Sequence, residues 1–126
     1  MAANGIGIGS FVYLRRIFEN LIEEAYKQAL SNGDVIDEVF ARMRMDEKIG
    51  ALKDYLPKTL VEIKHIYGIL SKGIHELSEK ECLAYFDAMR TGIEIILDDK
   101  LEQRKREEKR AKAIAQVSTI NGELKK

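Results

Sequence analysis

Proline, tryptophan and cysteine are almost missing from this sequence of 126 residues, which has one proline, no tryptophan and one cysteine. A single proline leaves long stretches without a helix breaker, and charged residues make up 33% of the chain, so the composition favours helices. Aromatic residues account for only 7%, which indicates a core built from aliphatic side chains. Segments typical of β-strands are nearly missing too. The sequence therefore predicts one all-α domain.

The single cysteine, Cys82, excludes an internal disulfide, and no motif around it is typical of a metal site or a redox pair. We expect it to be a small buried hydrophobic side chain in a reducing cytoplasm. The first residues, MAANGIGIGS, have no basic region typical of a signal peptide. No apolar run approaches the roughly 20 residues of a membrane span. A cytoplasmic protein without a membrane segment is therefore predicted.

Charge is divided unevenly along the chain, although the formal net charge is zero. Residues 1–99 contain 12 Lys and Arg against 17 Asp and Glu, a net charge of −5. Residues 100–126 contain 9 against 4, a net charge of +5. Any contact with a polyanion is therefore expected at the C-terminal tail.

Apolar residues recur at intervals of three and four along four segments, which predicts helices near 10–31, 34–56, 59–76 and 78–115. Several residues mark the helix ends. Ser10 and Asp34 are candidate N-caps, Ser31-Asn32-Gly33 is a helix stop, and Thr59 with Glu62 and Ser78 with Glu81 match the capping box. Gly68 and Gly73 are costly inside a helix, so they indicate close packing or an early helix end.

Short links between amphipathic helices force neighbouring helices to run antiparallel. The sequence therefore predicts an antiparallel four-helix bundle over residues 10–101, preceded by a linker-like segment over 1–9. Residues 102–126 are predicted to form a charged helical extension, and its last residues, STINGELKK, are expected to fray. Pairs such as Glu102 with Arg106 and Glu108 with Lys112 are spaced for ion pairs on one helix. The extension is then either a solvated helix or an electrostatic contact for nucleic acid.

His75 raises the question of chemistry, because it ends the third predicted helix. Ser71, Tyr67 and Lys64 precede it at helical spacing, so a regular helix places all four on one polar face. One interpretation is a site in which His75 exchanges a proton, a hydroxyl orients it and a cation binds phosphate. The other is a solvated surface with a histidine that the helix dipole favours. The spacing alone leaves both open.

Other enzyme signatures are missing from the sequence. The segment GIGIGS follows no strand and has no lysine, so it is not a phosphate-binding loop. No cysteine and histidine cluster has zinc spacing, and the pair Glu23 and Glu24 lacks the histidine of a di-iron bundle. We therefore expect neither a metal nor another cofactor.

Two segments carry a resemblance to a known family. The first helix, FVYLRRIFENLIEEAY, and the later segment LSKGIHELSEKECLAYF resemble the HEPN superfamily, and in particular its bacterial branch with an LRRxxE first helix. The similarity covers roughly residues 10–101. It implies a four-helix bundle that forms a homodimer around a shared cleft.

Many members of this superfamily are metal-independent endoribonucleases, and the resemblance implies a site made of an arginine, an adjacent polar residue and a histidine. His75 matches the histidine and Ser71 matches the polar residue. The expected places of the arginine hold Gly68, Ile69 and Leu70, which cannot neutralise a phosphate.

Four other cations are candidates for RNA binding. They are Lys72, Lys64, Arg15 and Arg16. Arg15 or Arg16 would have to reach in from the first helix, and Arg15 is equally well placed for a structural ion pair with Glu19.

The resemblance implies a prokaryotic defence or toxin-type system. We expect a degenerate, dimerising module that binds nucleic acid or protein, with an active endoribonuclease that uses His75 as the alternative. Partners could then include RNA, a partner protein or a missing upstream domain.

Overall fold

The computed structural model describes residues 6–125, and these residues are helical without any strand. The predicted all-α class is therefore confirmed for this part of the chain. The helices are α1 (Ile6–Ser31), α2 (Asp37–Ala41), α3 (Met45–Ala51), α4 (Lys58–Glu62), α5 (Ile66–His75) and α6 (Glu79–Leu124), with a short 3-10 helix at Lys53–Tyr55. Within the described residues, no helix has the length and apolarity needed to cross a bilayer.

The helix α1 begins at Ile6, four residues before the predicted cap at Ser10. Its first amides are satisfied by a distant carboxylate, because Gly7 N–H donates to Oε2 of Glu79 at 2.5 Å and Ile8 N–H donates to Oε1 at 3.2 Å. Ser10 lies inside the helix, where its hydroxyl donates to the Ile6 carbonyl at 2.7 Å. Residues 6–9 of the predicted linker are therefore helical, and residues 1–5 lie outside the described part.

The predicted end of α1 is confirmed, since the helix stops at Ser31. Gly33 adopts a left-handed conformation with φ of 76°. Gly33 N–H donates to the Leu30 carbonyl at 3.1 Å, and Asp34 N–H donates to the Ala29 carbonyl at 2.9 Å. These bonds satisfy carbonyl groups that the helix end would otherwise leave without partners.

The single helix predicted over 34–56 is wrong, because the structure has α2, α3 and the 3-10 helix there. Asp34 does not cap a helix, since its carboxylate accepts the Tyr55 hydroxyl. At the break between α2 and α3, Arg44 is extended with ψ of 164°, and its amide donates to Glu47 at 3.0 Å. Each segment is anchored by its own contacts, so no continuous helix forms.

The helix predicted over 59–76 is divided into α4 and α5. Thr59 and Glu62 do not form a capping box. The Thr59 amide instead donates to Oδ2 of Asp99 at 3.0 Å, and the Thr59 hydroxyl donates to the same oxygen. A carboxylate from α6 thus caps α4, while Ile63 leaves the helical conformation with ψ of 36°.

The second capping box is confirmed at the start of α6, where Glu81 N–H donates to the Ser78 hydroxyl at 3.1 Å and Ser78 N–H donates to Glu81 at 3.0 Å. The helix then runs for 46 residues, past the predicted end near residue 115 and through Asn121-Gly122. The prediction that the last residues fray is wrong for residues up to Leu124, because the helix continues to that residue. Each of residues 101–125 is exposed.

Contacts among the long helices define their directions. Phe11 of α1 lies against Gly73 of α5, and Phe18 packs on Tyr67 with ring centroids 5.3 Å apart, so α1 and α5 run in opposite directions. Glu79 and Lys100 of α6 contact Gly7 and Glu24 of α1 in the same order along both helices, so α1 and α6 run in the same direction.

In an antiparallel bundle of four long helices, the last helix would run opposite to the first. Here α6 runs in the same direction as α1, and residues 32–57 explain why. Tyr26 near the end of α1 stacks on Phe40 at 4.3 Å between ring centroids, and Asn32 donates to the Tyr55 hydroxyl at 3.1 Å. The short segments therefore stay at the C-terminal end of α1 and do not return along it. The return is made by α4 and α5.

The core lies between α1, α4, α5 and α6, with α3 covering one end, and is mostly aliphatic, as predicted. Its largest fully buried side chains are Phe11, Phe18, Ile49, Leu52, Leu60, Leu70, Ile93 and Ile96. Cys82 is also buried, and its thiol donates to the Gly73 carbonyl at 3.2 Å. Burial raises the pKa of this thiol, which agrees with the expectation of a small buried hydrophobic residue.

Candidate functional site on α5

The candidate site lies on α5, which presents three of the four residues of the predicted polar face. His75 is the last residue of the helix and is exposed, and Ser71 lies one turn before it and is half-buried. Tyr67 lies a further turn back, near the start of α5. Lys64 belongs to the turn that precedes α5, so the regular register that would place it on this face does not hold.

Tyr67 joins α5 to the arginine-rich part of α1. Its hydroxyl donates to Oε2 of Glu19 at 3.0 Å, and the guanidinium of Arg15 lies 5.6 Å from the centroid of its ring. Nε of Arg15 is 3.5 Å from the same Glu19 oxygen. Arg15, Glu19 and Tyr67 therefore form one cluster across the α1–α5 interface, named here the Arg15 cluster.

The environment of Arg15 favours its charged form. Its pKa is raised above the ordinary value, first by the Tyr67 hydroxyl and also by the charge of Glu19, against the opposing effect of burial. Nε is buried, and no hydrogen bond reaches it from the described residues. The structural ion pair with Glu19, one of the two alternatives for Arg15, is the arrangement that forms.

The other three predicted cations, unlike Arg15, have no carboxylate partner in the described part of the chain. Arg16 and Lys72 are exposed, and Lys64 is half-buried. Among residues 6–125, none of these three forms an ion pair with a carboxylate. Their charges are therefore open to solvent or to an anion.

The position that would hold the motif arginine belongs to the core. Leu70 precedes Ser71 and is fully buried, whereas Gly68 and Ile69 lie on the exposed side of α5. A guanidinium at position 70 would have to be buried without a carboxylate partner, at a high desolvation cost. Apolar packing thus accounts for leucine at this position.

The chemistry available at this site is limited. Within the described residues, the His75 imidazole forms no hydrogen bond with a carboxylate or a hydroxyl that would orient it. General acid–base catalysis needs a positioned group, and phosphoryl chemistry also needs a cation at the developing charge. The site supplies a histidine and a nearby hydroxyl, while the arginine of α1 is held in the Arg15 cluster.

A second concave region lies between the C-terminal half of α1 and α6, beside Tyr55 and Pro57, with a volume of about 100 Å³. There Glu24 pairs with Lys100 and lies 3.7 Å from Arg104. Sequence reasoning considered Glu24 only as a metal ligand and missed this role. Among residues 6–125, no group of three or more His, Cys, Asp or Glu is arranged to hold a metal.

Comparison of the chain with protein-family models, curated proteins and solved structures gave no match.

Proposed function

We propose that this protein is a HEPN-like module that binds nucleic acid or protein and has lost most or all of its ribonuclease chemistry. The two segments on which the resemblance depends pack directly against each other, through the Arg15 cluster and through Phe11 on Gly73. This contact is compatible with the resemblance, because it brings its two segments together in the fold.

The observation that carries the proposal is the separation of the charged groups that catalysis would need. Arg15 is held by Glu19 and Tyr67, Leu70 occupies the place of the motif arginine in the core, and His75 stands exposed at the end of α5. Without an arginine at the motif position, His75 stabilises little of the transition-state charge. Binding is therefore the better-supported function.

In this proposal, exposed cations of α1 and α5 contact the RNA backbone. Arg16 and Lys72 have open charges, and Lys64 lies in the turn that precedes α5. The module forms a homodimer in the cytoplasm, as part of a prokaryotic defence or toxin-type system, with a partner protein or an upstream domain completing its activity.

A cleavage assay on single-stranded RNA in EDTA tests the catalytic part of the proposal. The variants are His75→Ala and a matched control, His65→Ala, which removes the other exposed histidine. We expect wild type and both variants to leave the RNA intact, because Arg15 is held by Glu19 and Tyr67 and Leu70 occupies the place of the motif arginine. Cleavage by wild type and His65→Ala but not by His75→Ala would contradict the proposal.

That contradictory result would establish the second candidate, an active metal-independent endoribonuclease. The observation that favours an active enzyme is that Ser71 lies one turn from an exposed His75. In that case DNA should survive, since the attacking group is the ribose 2′-hydroxyl.

A further inference from the structure

The exposed part of α6 carries five cations on one side. They are Lys105, Arg106, Lys109, Arg110 and Lys112, and together they are named here the basic face. Because successive residues of an α-helix are rotated by about 100°, these five lie within an arc of about 160°. Glu107 and Glu108 lie on the opposite side of the helix. The charges of residues 105–112 are therefore separated by sign around the helix axis.

The basic face is not neutralised by the protein. The pairs predicted from spacing, Glu102 with Arg106 and Glu108 with Lys112, do not form, and in the part of the chain that the structure describes no carboxylate makes an ion pair with any of the five cations. Arg104, just before the basic face, is the last cation of α6 to pair with the body, at 3.7 Å from Glu24. All five side chains are exposed.

The chemistry of the basic face fits phosphate groups rather than bases. The three lysines span about 10 Å, since a helix rises 1.5 Å per residue. No aromatic residue follows Phe86 in the chain, so the extension has no platform on which unpaired bases could stack. A helix of about 10–12 Å diameter that is exposed on all sides also fits the major groove of B-DNA, which is about 12 Å wide.

We propose that the basic face binds the phosphate backbone of double-stranded nucleic acid without sequence preference. Residues 1–99 carry a net charge of −5 and residues 100–126 a net charge of +5, so the field of the protein attracts a duplex to the extension more strongly than to the body. The site is separate from the one on α5. His75 precedes the start of α6 at Glu79, and the basic face begins about 40 Å further along this helix. Loss of one site thus leaves the other intact.

Fluorescence anisotropy with unrelated duplex DNA, duplex RNA and single-stranded RNA, at several salt concentrations, tests the proposal on the full chain. The variant is Lys105→Gln with Lys109→Gln and Lys112→Gln. The control is Lys27→Gln with Lys53→Gln and Lys80→Gln, which removes the same charge from exposed lysines of the body. Circular dichroism checks that both variants keep the helix content of wild type.

Each lost phosphate contact should reduce the magnitude of the slope of log K against log salt by about 0.9. The slope of the basic-face variant, which lacks three lysines, should therefore be smaller than that of wild type by about 2.7. The slope of the control should equal that of wild type. Duplex DNA and duplex RNA should both bind more tightly than single strands. Equal affinities for variant and control would overturn the proposal. So would tighter binding of single strands, or binding of anionic vesicles without binding of either duplex.

Discussion

Gly73 is the residue at which the packing of α1 on α5 is tightest. A Cβ atom at this position would overlap the ring of Phe11, which is itself fully buried. Gly68, five residues earlier on the same helix, has no atom within 4 Å of the position that a Cβ would take. The two glycines therefore have different roles, although sequence reasoning treated them alike.

Substitution of these glycines should have opposite effects on stability. Gly73→Ala forces Phe11 out of its position, so we expect it to lower the free energy of unfolding by about 1–3 kcal/mol. Gly68→Ala, the matched control, meets open space and should raise it by up to about 1 kcal/mol through helix propensity. Urea denaturation measures both. A Gly73→Ala protein as stable as wild type would contradict the close contact with Phe11.

At this scale, sequence reasoning identified local relations and missed distant ones. The Ser78–Glu81 capping box and the ion pair of Arg15 with Glu19 were predictable, since each joins residues three or four positions apart. The hydrogen bonds from Gly7 to Glu79 and from Thr59 to Asp99 were not predictable, because these partners are 72 and 40 residues apart in the sequence. The position of Leu70 in the core likewise depends on the whole fold.

Among the elements, α6 has the best-defined start. The pKa of Glu81 is held below its ordinary 4.5, first by the hydrogen bond from the Ser78 backbone and then by the Ser78 side chain. For a carboxyl group with a lowered folded-state pKa, the stabilisation is fully present above the unfolded pKa. It is lost as the pH falls through the folded pKa.

Glu81→Gln should therefore make the thermal stability less sensitive to acid. Glutamine still accepts the Ser78 amide but does not titrate, so its Tm should fall less than that of wild type as the pH drops below about 4.5. Glu102→Gln is the control, since this exposed carboxylate accepts no hydrogen bond from residues 6–125. Its Tm should follow that of wild type. Parallel acid curves for wild type and Glu81→Gln would show that the box does not depend on the charge.

The elements also show where periodicity predicts a helix and where it does not. α1 and α6 have long apolar stripes, and the stop of α1 at Gly33 has a local cause in its left-handed backbone. Residues 34–56 have helical spacing as well, but Tyr55 and Phe40 each make contacts that only the folded chain provides. Tertiary contacts override a weak helical pattern in this segment.

At the scale of the whole molecule, the uneven charge of the sequence becomes a spatial division. The acidic residues belong mostly to the packed body, while the cations beyond Arg104 lie on a helix that leaves it. The division was predictable from the sequence. The direction of α6 relative to α1 was not, because it depends on the short helices that stay at one end of α1.

The proposed homodimer places the exposed side of α5 at a two-fold contact. No atom lies near the position that a Cβ of Gly68 would take, which allows close approach of a second copy, and the neighbouring Ile69 is 38% exposed. Light scattering at micromolar concentration should give twice the 14.4 kDa of one chain. Ile69→Lys should give the mass of a single chain, because a two-fold contact brings the two lysines together.

Val39→Lys is the control for this experiment, since Val39 is similarly apolar and exposed but lies on α2, away from α5. It should keep the mass of the dimer. A mass of 14.4 kDa for wild type would contradict the dimer itself. A dimer that survives Ile69→Lys would instead place the contact on another surface, and Ser71 and His75 of the two copies would then not share a cleft.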